Sequence, residues 1–373
     1  VRALVAGGGI GGLGIAGALR RGGHEVVVLE QAARLDHAGA GITLFANAMR
    51  ALDSLGIGDA VRGQGSAARY SAIQTRDGRV LTTVPDELLE GAVAVHRGDL
   101  QAALLKAAGE VRVGAQVTGV EQTAEAAIAK LADGSVQAGD LLVGADGLRS
   151  RVRAAVAPSV LRYSGYTAWR GVSPVRIETG HLSESWGIGE RFGLVDIGSQ
   201  TYWFATANVA EGEVDDPDRR KAELMQRFAR WHAPIGAVLD ATPADAILRN
   251  DVFFLDPLRS WSAGRTVLLG DAAHATTPGV GQGAAQALED AVALAHELAG
   301  AELAGAGALA AALERYEAGR RSRALLAVKL SRRADAAAQL GSPLGCRLRD
   351  ALVSRIPERV QVRQLAPLIR QGP

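Results

Sequence analysis

Apolar and small residues follow one another along the first thirty positions in an order that predicts structure. Val1 to Ala6 is largely apolar, Gly7 to Gly12 is glycine broken only by Ile10, and Leu13 to Leu19 is small and uncharged. Glu25 to Leu29 is apolar again and runs into Glu30. This predicts strand, tight turn, helix and strand. Two later runs have a similar form: Leu141 to Gly144 leads to Asp146 and Gly147, and Val267 to Leu269 leads to Gly270 and Asp271. Between them Tyr202 to Asn208 alternates, and the glycine-punctuated runs before it complete a set of antiparallel strands. After Asp271, Pro278 to Gly283 opens a helix from about Ala284 to Leu298. Ala301 to Ala312 reads as a helical connection, and Pro343, Pro357 and Pro367 mark breaks among C-terminal helices.

The first segment carries a recognisable chemistry. Gly7, Gly9 and Gly12 have the GxGxxG spacing between a strand and a helix, where free backbone N–H groups and the helix dipole favour a pyrophosphate. Glu30 follows a second strand, where an acid accepts both ribose hydroxyls of an adenosine and repels a 2′-phosphate. Arg34, four residues on, is either part of that site or a helical surface pair with Glu30. Ala3 to Leu19 carries no charge and has the look of a signal peptide, but its seven glycines, each costing about 1 kcal/mol in a helix, oppose that reading. Arg20 and Arg21 stand where a cleavage site would. No other stretch has the roughly 18 apolar residues of a membrane helix. The expectation is a soluble, cytoplasmic protein without a transmembrane segment.

Composition narrows the field. At 373 residues and 48% hydrophobic content, the chain suits two domains or one large α/β domain with an insertion. A net charge of +1 gives no global attraction for nucleic acid. The single cysteine, Cys346, cannot form an internal disulfide, which suits a reducing compartment, and no His/Cys cluster predicts a metal. Eight of the 16 aromatic residues fall between Tyr163 and Phe204. They are the core of a second sheet, the wall of an apolar pocket, or both. In open α/β sheets ligands bind at the carboxyl ends of strands, so Gly7, Asp146 and Asp271 are expected around one cofactor.

Taken together, these segments resemble the class A flavin monooxygenases of the para-hydroxybenzoate hydroxylase-like family over nearly the whole chain. The resemblance implies an α/β fold: a Rossmann-like FAD-binding domain (1–70, 96–160, 262–330) interleaved with an antiparallel-sheet substrate domain (71–95, 161–261), then a C-terminal helical segment (331–373). It places Gly7, Gly9, Ile10, Gly11 and Gly12 against the ADP half of FAD, with Glu30, Gln31 and Arg34 at the ribose. Asp146 matches the family's Asp-Gly motif, although it can equally cap the helix expected near Ser150. Gly270, Asp271 and Ala272 match the Gly-Asp motif whose aspartate binds the ribityl chain. Arg97 fits the family's arginine near the flavin, or is a solvated charge. Gly41 and Ile42 belong to the loop that passes the isoalloxazine, where Ala46 replaces a common proline. Pro278, Gly281, Gln282, Gly283 and Ala284 bring a helix N-terminus to the flavin N1–C2 edge, which stabilises the reduced anion.

The resemblance also implies an activity: FAD, with NADH or NADPH as transient reductant and O2, hydroxylates an aromatic or heteroaromatic small molecule through a flavin C4a-hydroperoxide. Epoxidation of an alkene on the same fold and a non-catalytic flavin-binding sensor are the alternatives. Trp169, Arg170, Tyr202 and Phe204 are the substrate candidates, and Arg170, Tyr202 and His274 the catalytic ones. A lone histidine such as His274 is more often hydrogen-bonded structure than a proton carrier. Arg170 either pairs with a substrate anion or satisfies a buried carboxylate.

Overall fold

The computed structural model describes residues 2–35, 40–299 and 306–370. Among these residues the backbone forms an α/β fold built around two large sheets. The first has the order Ser262–Ala263, Thr266–Leu268, Leu141–Gly144, Arg2–Ala6, Glu25–Leu29, Val111–Arg112. All its neighbours are parallel except the first pair. Its central strands are almost continuously buried, as a parallel sheet covered on both faces requires. Helices Ile10–Arg21 and Gly283–Leu298 pack closely against each other, with the Cβ of Ala291 only 3.3 Å from where one on Gly14 would stand. Small residues at such contacts let the helices approach. Leu4, Ile15, Val143, Leu288, Trp261 and Tyr316 belong to the core around this sheet.

The second sheet has seven strands in the order Leu248–Leu255, Leu161–Ser173, Thr201–Ala207, Glu190–Asp196, His181–Trp186, Tyr70–Thr75, Val80–Thr83. It is antiparallel apart from the pairing of Tyr70–Thr75 with His181–Trp186. Side chains on successive strand residues point to opposite faces. One face therefore packs Trp169, Phe192, Leu194 and Trp203 against the helices Pro217–Arg227 and Ile235–Ala241, while the other turns Ala168, Arg170, Tyr202, Phe204 and Thr206 toward a cavity.

Three further helices, Ala306–Ala338, Pro343–Val353 and Glu358–Ile369, complete the described chain. Of the helical connection expected over 301–312, the part before Ala306 lies outside the described residues, as does Gly39 of the loop at 39–47. Among the described residues no helix is long and apolar enough to cross a membrane.

Candidate active site

The cavity between the two sheets has a volume of about 810 Å³. On one side its wall is made by Gly9 to Gly11, Gly41 to Thr43, Arg97, Gly147 and Leu269 to Asp271. The antiparallel sheet supplies the other side. The strand ends near Gly7, Asp146 and Asp271 thus converge on one space.

The glycine turn is shaped for an anion. Gly7 has φ +105°, and a Cβ there would stand 2.4 Å from the Ala145 carbonyl oxygen. A Cβ on Gly12 would collide with the Gly7 oxygen at 1.9 Å, whereas one on Gly9 would meet nothing within 4 Å. Gly7 and Gly12 are therefore needed by the fold, and Gly9 keeps the cavity side open. The helix that starts at Ile10 has neither a side-chain cap nor an acid in its first turn, so its N-terminal N–H groups are available to a phosphate. Glu30 is already oriented: Oε2 accepts from Gly8 N–H at 2.6 Å and Oε1 from Ala32 N–H at 2.8 Å. Gln31 and Arg34 follow it on the surface.

Asp146 does not line the cavity. Its carboxylate accepts from the Ser150 hydroxyl at 2.5 Å and from the backbone N–H groups of Arg151 and Val152 at 2.6 and 3.1 Å. These three donors of the turn before the short helix Arg153–Val156 occupy its side chain, and that helix itself has no side-chain cap. The neighbouring Ala145 and Gly147 reach the cavity instead.

Asp271 follows Gly270, which has φ +57°, and is accessible from the cavity. Desolvation raises its pKa, against the opposing pull of His274, Arg97 and Arg153. Arg97 begins the helix Arg97–Ala108 and donates its backbone N–H to Ala40 at 2.8 Å. Desolvation lowers the pKa of its guanidinium and Arg170 adds to this, while Asp271 and Tyr202 oppose it. Pro278, Gly281, Gly283 and Ala284 line the cavity at the start of the helix Gly283–Leu298, whose first turn also lacks an acid.

Two residues expected at the flavin have buried side chains, although their chain neighbours Asp271, Gly281 and Gly283 line the cavity. Gln282 is buried, and its Oε1 accepts from Asn47 Nδ2 at 2.9 Å, so its side chain is used inside the core. Ala272 is buried as well, and its carbonyl accepts from Arg153.

His274 and Trp169 also need correction. His274 is buried beside Trp261 and pairs through Nε2 with Asp290 at 2.6 Å, away from the cavity wall. A proton carrier must reach substrate, and this imidazole is committed to a buried acid. Burial would raise Asp290, but His274, Arg320 and the Gly270 N–H outweigh it and bring its pKa to about 2. Trp169 donates its indole N–H to Asp215 at 2.8 Å on the far face of the sheet. Its neighbour Arg170 faces the cavity because consecutive strand residues alternate.

Arg170 has no hydrogen-bond or ion-pair partner among the described residues and sits near Arg97 and Tyr202. Tyr202 crosses closely over Gly41, whose Cβ would stand 2.4 Å from its own. Burial raises its phenol pKa, and Arg170 and Arg97 pull it back. The Tyr202 and Phe204 rings lie 6.3 Å apart.

Several cavity residues escaped the sequence reading, notably Glu184, Arg191, Arg249 and Asp251. The signal that finds Glu184 and Arg191 is alternation once strand order is known. The buried Glu289–Asp290 pair was also missed, although two adjacent acids on a helix rich in alanine and leucine are the kind of pattern that marks a buried network.

Residues 1–331 match the family model described as the FAD binding domain. The chain is 46% identical over 374 aligned residues to the aurachin C monooxygenase/isomerase of Stigmatella aurantiaca, with 96% of each chain covered. It is 38% identical over 305 residues to the 2-heptyl-3-hydroxy-4(1H)-quinolone synthase of Pseudomonas aeruginosa, covering 78% of this chain and 79% of that one. Among solved structures, Klebsiella pneumoniae HpxO complexed with FAD and uric acid superposes with a TM-score of 0.91 at 28% identity, covering 100% of this chain and 97% of that one.

Proposed function

Because the chain belongs to the FAD-binding-domain family and is a flavin-dependent monooxygenase, we propose that it hydroxylates a nitrogen-containing heteroaromatic small molecule. Relatives named for a quinolone and for urate support a heteroaromatic ring over an alkene. The observation that carries the reading is the cavity itself, with a phosphate-ready glycine turn and Asp271 on one wall and a guanidinium beside aromatic rings on the other.

The residues present fit FAD: the N-terminus of helix Ile10–Arg21 is open, Gly9 leaves the approach clear, and Glu30 is preset by backbone donors. Bound FAD would supply the redox chemistry by which two electrons from NAD(P)H and one O2 give an oxygenated substrate and water. In our assignment Gly9 to Gly11 hold the pyrophosphate, Glu30 the adenosine ribose and Asp271 the ribityl hydroxyls. Arg97 supplies positive charge beside them. The start of helix Gly283–Leu298 would offer backbone dipoles that favour negative charge on a bound flavin. Arg170 holds a substrate oxygen and stabilises negative charge there, while Tyr202 and Phe204 confine the ring and exclude water. We place the protein in the cytoplasm, where its buried Cys346 stays reduced.

The test is NAD(P)H oxidation by the FAD-loaded protein against phenols, purine-like heterocycles, quinolones and polyenes, with products weighed by mass spectrometry. A heteroaromatic ring that stimulates oxidation and gains one oxygen atom supports the reading. A polyene that does so in its place replaces it with epoxidation. Tight FAD with no product from any compound leaves a flavin-binding protein.

A further inference from the structure

One cross-strand row of the antiparallel sheet reads Glu184, Gly193, Phe204, Arg170. Glu184, Phe204 and Arg170 all line the cavity. The Phe204 ring lies across Gly193, where a Cβ would stand 2.0 Å from Cε1. An aromatic platform is thus flanked by a carboxylate on one side and a guanidinium on the other. Three interstrand steps separate their backbones, roughly 14 Å at about 4.8 Å each. Glu184 and Arg170 border the same cavity on either side of that platform.

The two ends differ in kind. Arg170 offers only donors and has no partner among the described residues. Glu184 is an acceptor with one oxygen already used: Oε1 takes the Trp186 indole N–H at 2.6 Å and Arg191 Nη1 at 3.2 Å. Oε2 has no hydrogen-bond partner among the described residues. Arg191, which also touches the cavity, is held at its other nitrogen by Asp335 at 2.9 Å, and Asp335 accepts the Tyr166 hydroxyl at 2.9 Å. This buried arginine is therefore occupied in fixing Glu184, and the cavity meets an oriented acceptor there.

We propose that Glu184 accepts the ring N–H of the substrate while Arg170 holds its ring oxygen, so that the site selects fused heteroaromatic rings with an N–H donor across from a C–O acceptor, the pattern of a 4(1H)-quinolone. This rests on the function proposed above and names its substrate class. A site built to receive a buried N–H rejects an analogue that lacks it, because the carboxylate oxygen is then desolvated without a donor.

The experiment is a titration of the FAD-loaded protein with 4(1H)-quinolone and with its N-methyl derivative, followed by the flavin absorbance shift without reductant. The wild type is expected to bind the N–H form at least about tenfold more tightly. In Glu184→Gln the amide oxygen stays with Trp186 and Arg191, so the NH2 group turns into the cavity and faces the ring N–H donor to donor. The preference for the N–H form is then expected to disappear, while Arg170→Met weakens both ligands and keeps their ratio. Equal binding of the two ligands by the wild type overturns the proposal whether or not the variants fold, as does an undiminished preference in Glu184→Gln. Because binding is read without turnover, failure to oxygenate any ring counts against the monooxygenase reading and leaves this one standing.

Discussion

Gly270 donates its backbone N–H to the buried carboxylate of Asp290 at 2.9 Å, and so ties the end of strand Thr266–Leu268 to the helix Gly283–Leu298. The same carboxylate pairs with His274 and accepts from Arg320 Nε at 2.8 Å. Next to it, Glu289 accepts from Asn47 at 2.6 Å and pairs with Arg323 at 2.6 Å. Position 271 is thus set by a charge network whose charged side chains do not line the cavity.

Replacing Asp290 with Ala leaves His274 and Arg320 without their buried partner. The expected loss is about 3–5 kcal/mol of stability. Denaturant unfolding of the apoprotein measures it, and a loss under about 1 kcal/mol contradicts a structural role for the network.

Acid sensitivity follows from the same carboxyl group. Its folded pKa of about 2 lies below the ordinary 3.8, so its stabilising contribution is complete above pH 4 and lost as pH falls toward 2. The contribution is roughly 2 kcal/mol. Unfolding free energy should drop through this window in the wild type and more gently in Asp290→Asn, after allowance for the variant's lower starting stability.

Asp271→Ala should retain the fold and lose cofactor. We expect FAD affinity to fall at least about tenfold, with an unchanged far-ultraviolet circular dichroism spectrum. Stoichiometric FAD after gel filtration of the variant would refute the contact.

The glycine turn separates fold from binding. Gly12→Ala places a methyl group against the Gly7 carbonyl and should lower the melting temperature of the apoprotein, by about 2–3 °C for a loss of about 2 kcal/mol. Gly9→Ala meets no protein atom within 4 Å and should spare apoprotein melting while weakening FAD, read by fluorescence titration. Equal effects on both readouts in both variants contradict this division.

How much of this was visible in the sequence depends on the distance over which each feature is decided. The strand, turn and helix at Gly7 to Gly12 were legible because a positive φ and a close backbone approach demand glycine locally. The α/β fold and a shared cofactor site followed from three such strand ends in order, and the flavin from the family resemblance of their motifs. Arg170 and Trp169 were grouped by motif, yet strand alternation separates them, and only the sheet shows which face has the cavity. For His274 a hydrogen-bonded structural role was the favoured reading, but its partner could not be named, because Asp290 comes from the next long helix and Arg320 from the one after. Glu184 became visible only when strand order set it in line with Phe204 and Arg170.

The order of the parallel sheet has a consequence for how the protein reaches its native state. Arg2–Ala6 pairs with Leu141–Gly144, which pairs in turn with Thr266–Leu268. The chain must therefore emit most of the antiparallel sheet before the last of these strands can dock. Closing such distant pairings is slow, so folding speed should be set by chain topology and not by helix formation. Until Thr266–Leu268 arrives, one edge of Leu141–Gly144 stays open, which makes a nascent chain truncated before that strand a natural client for chaperones.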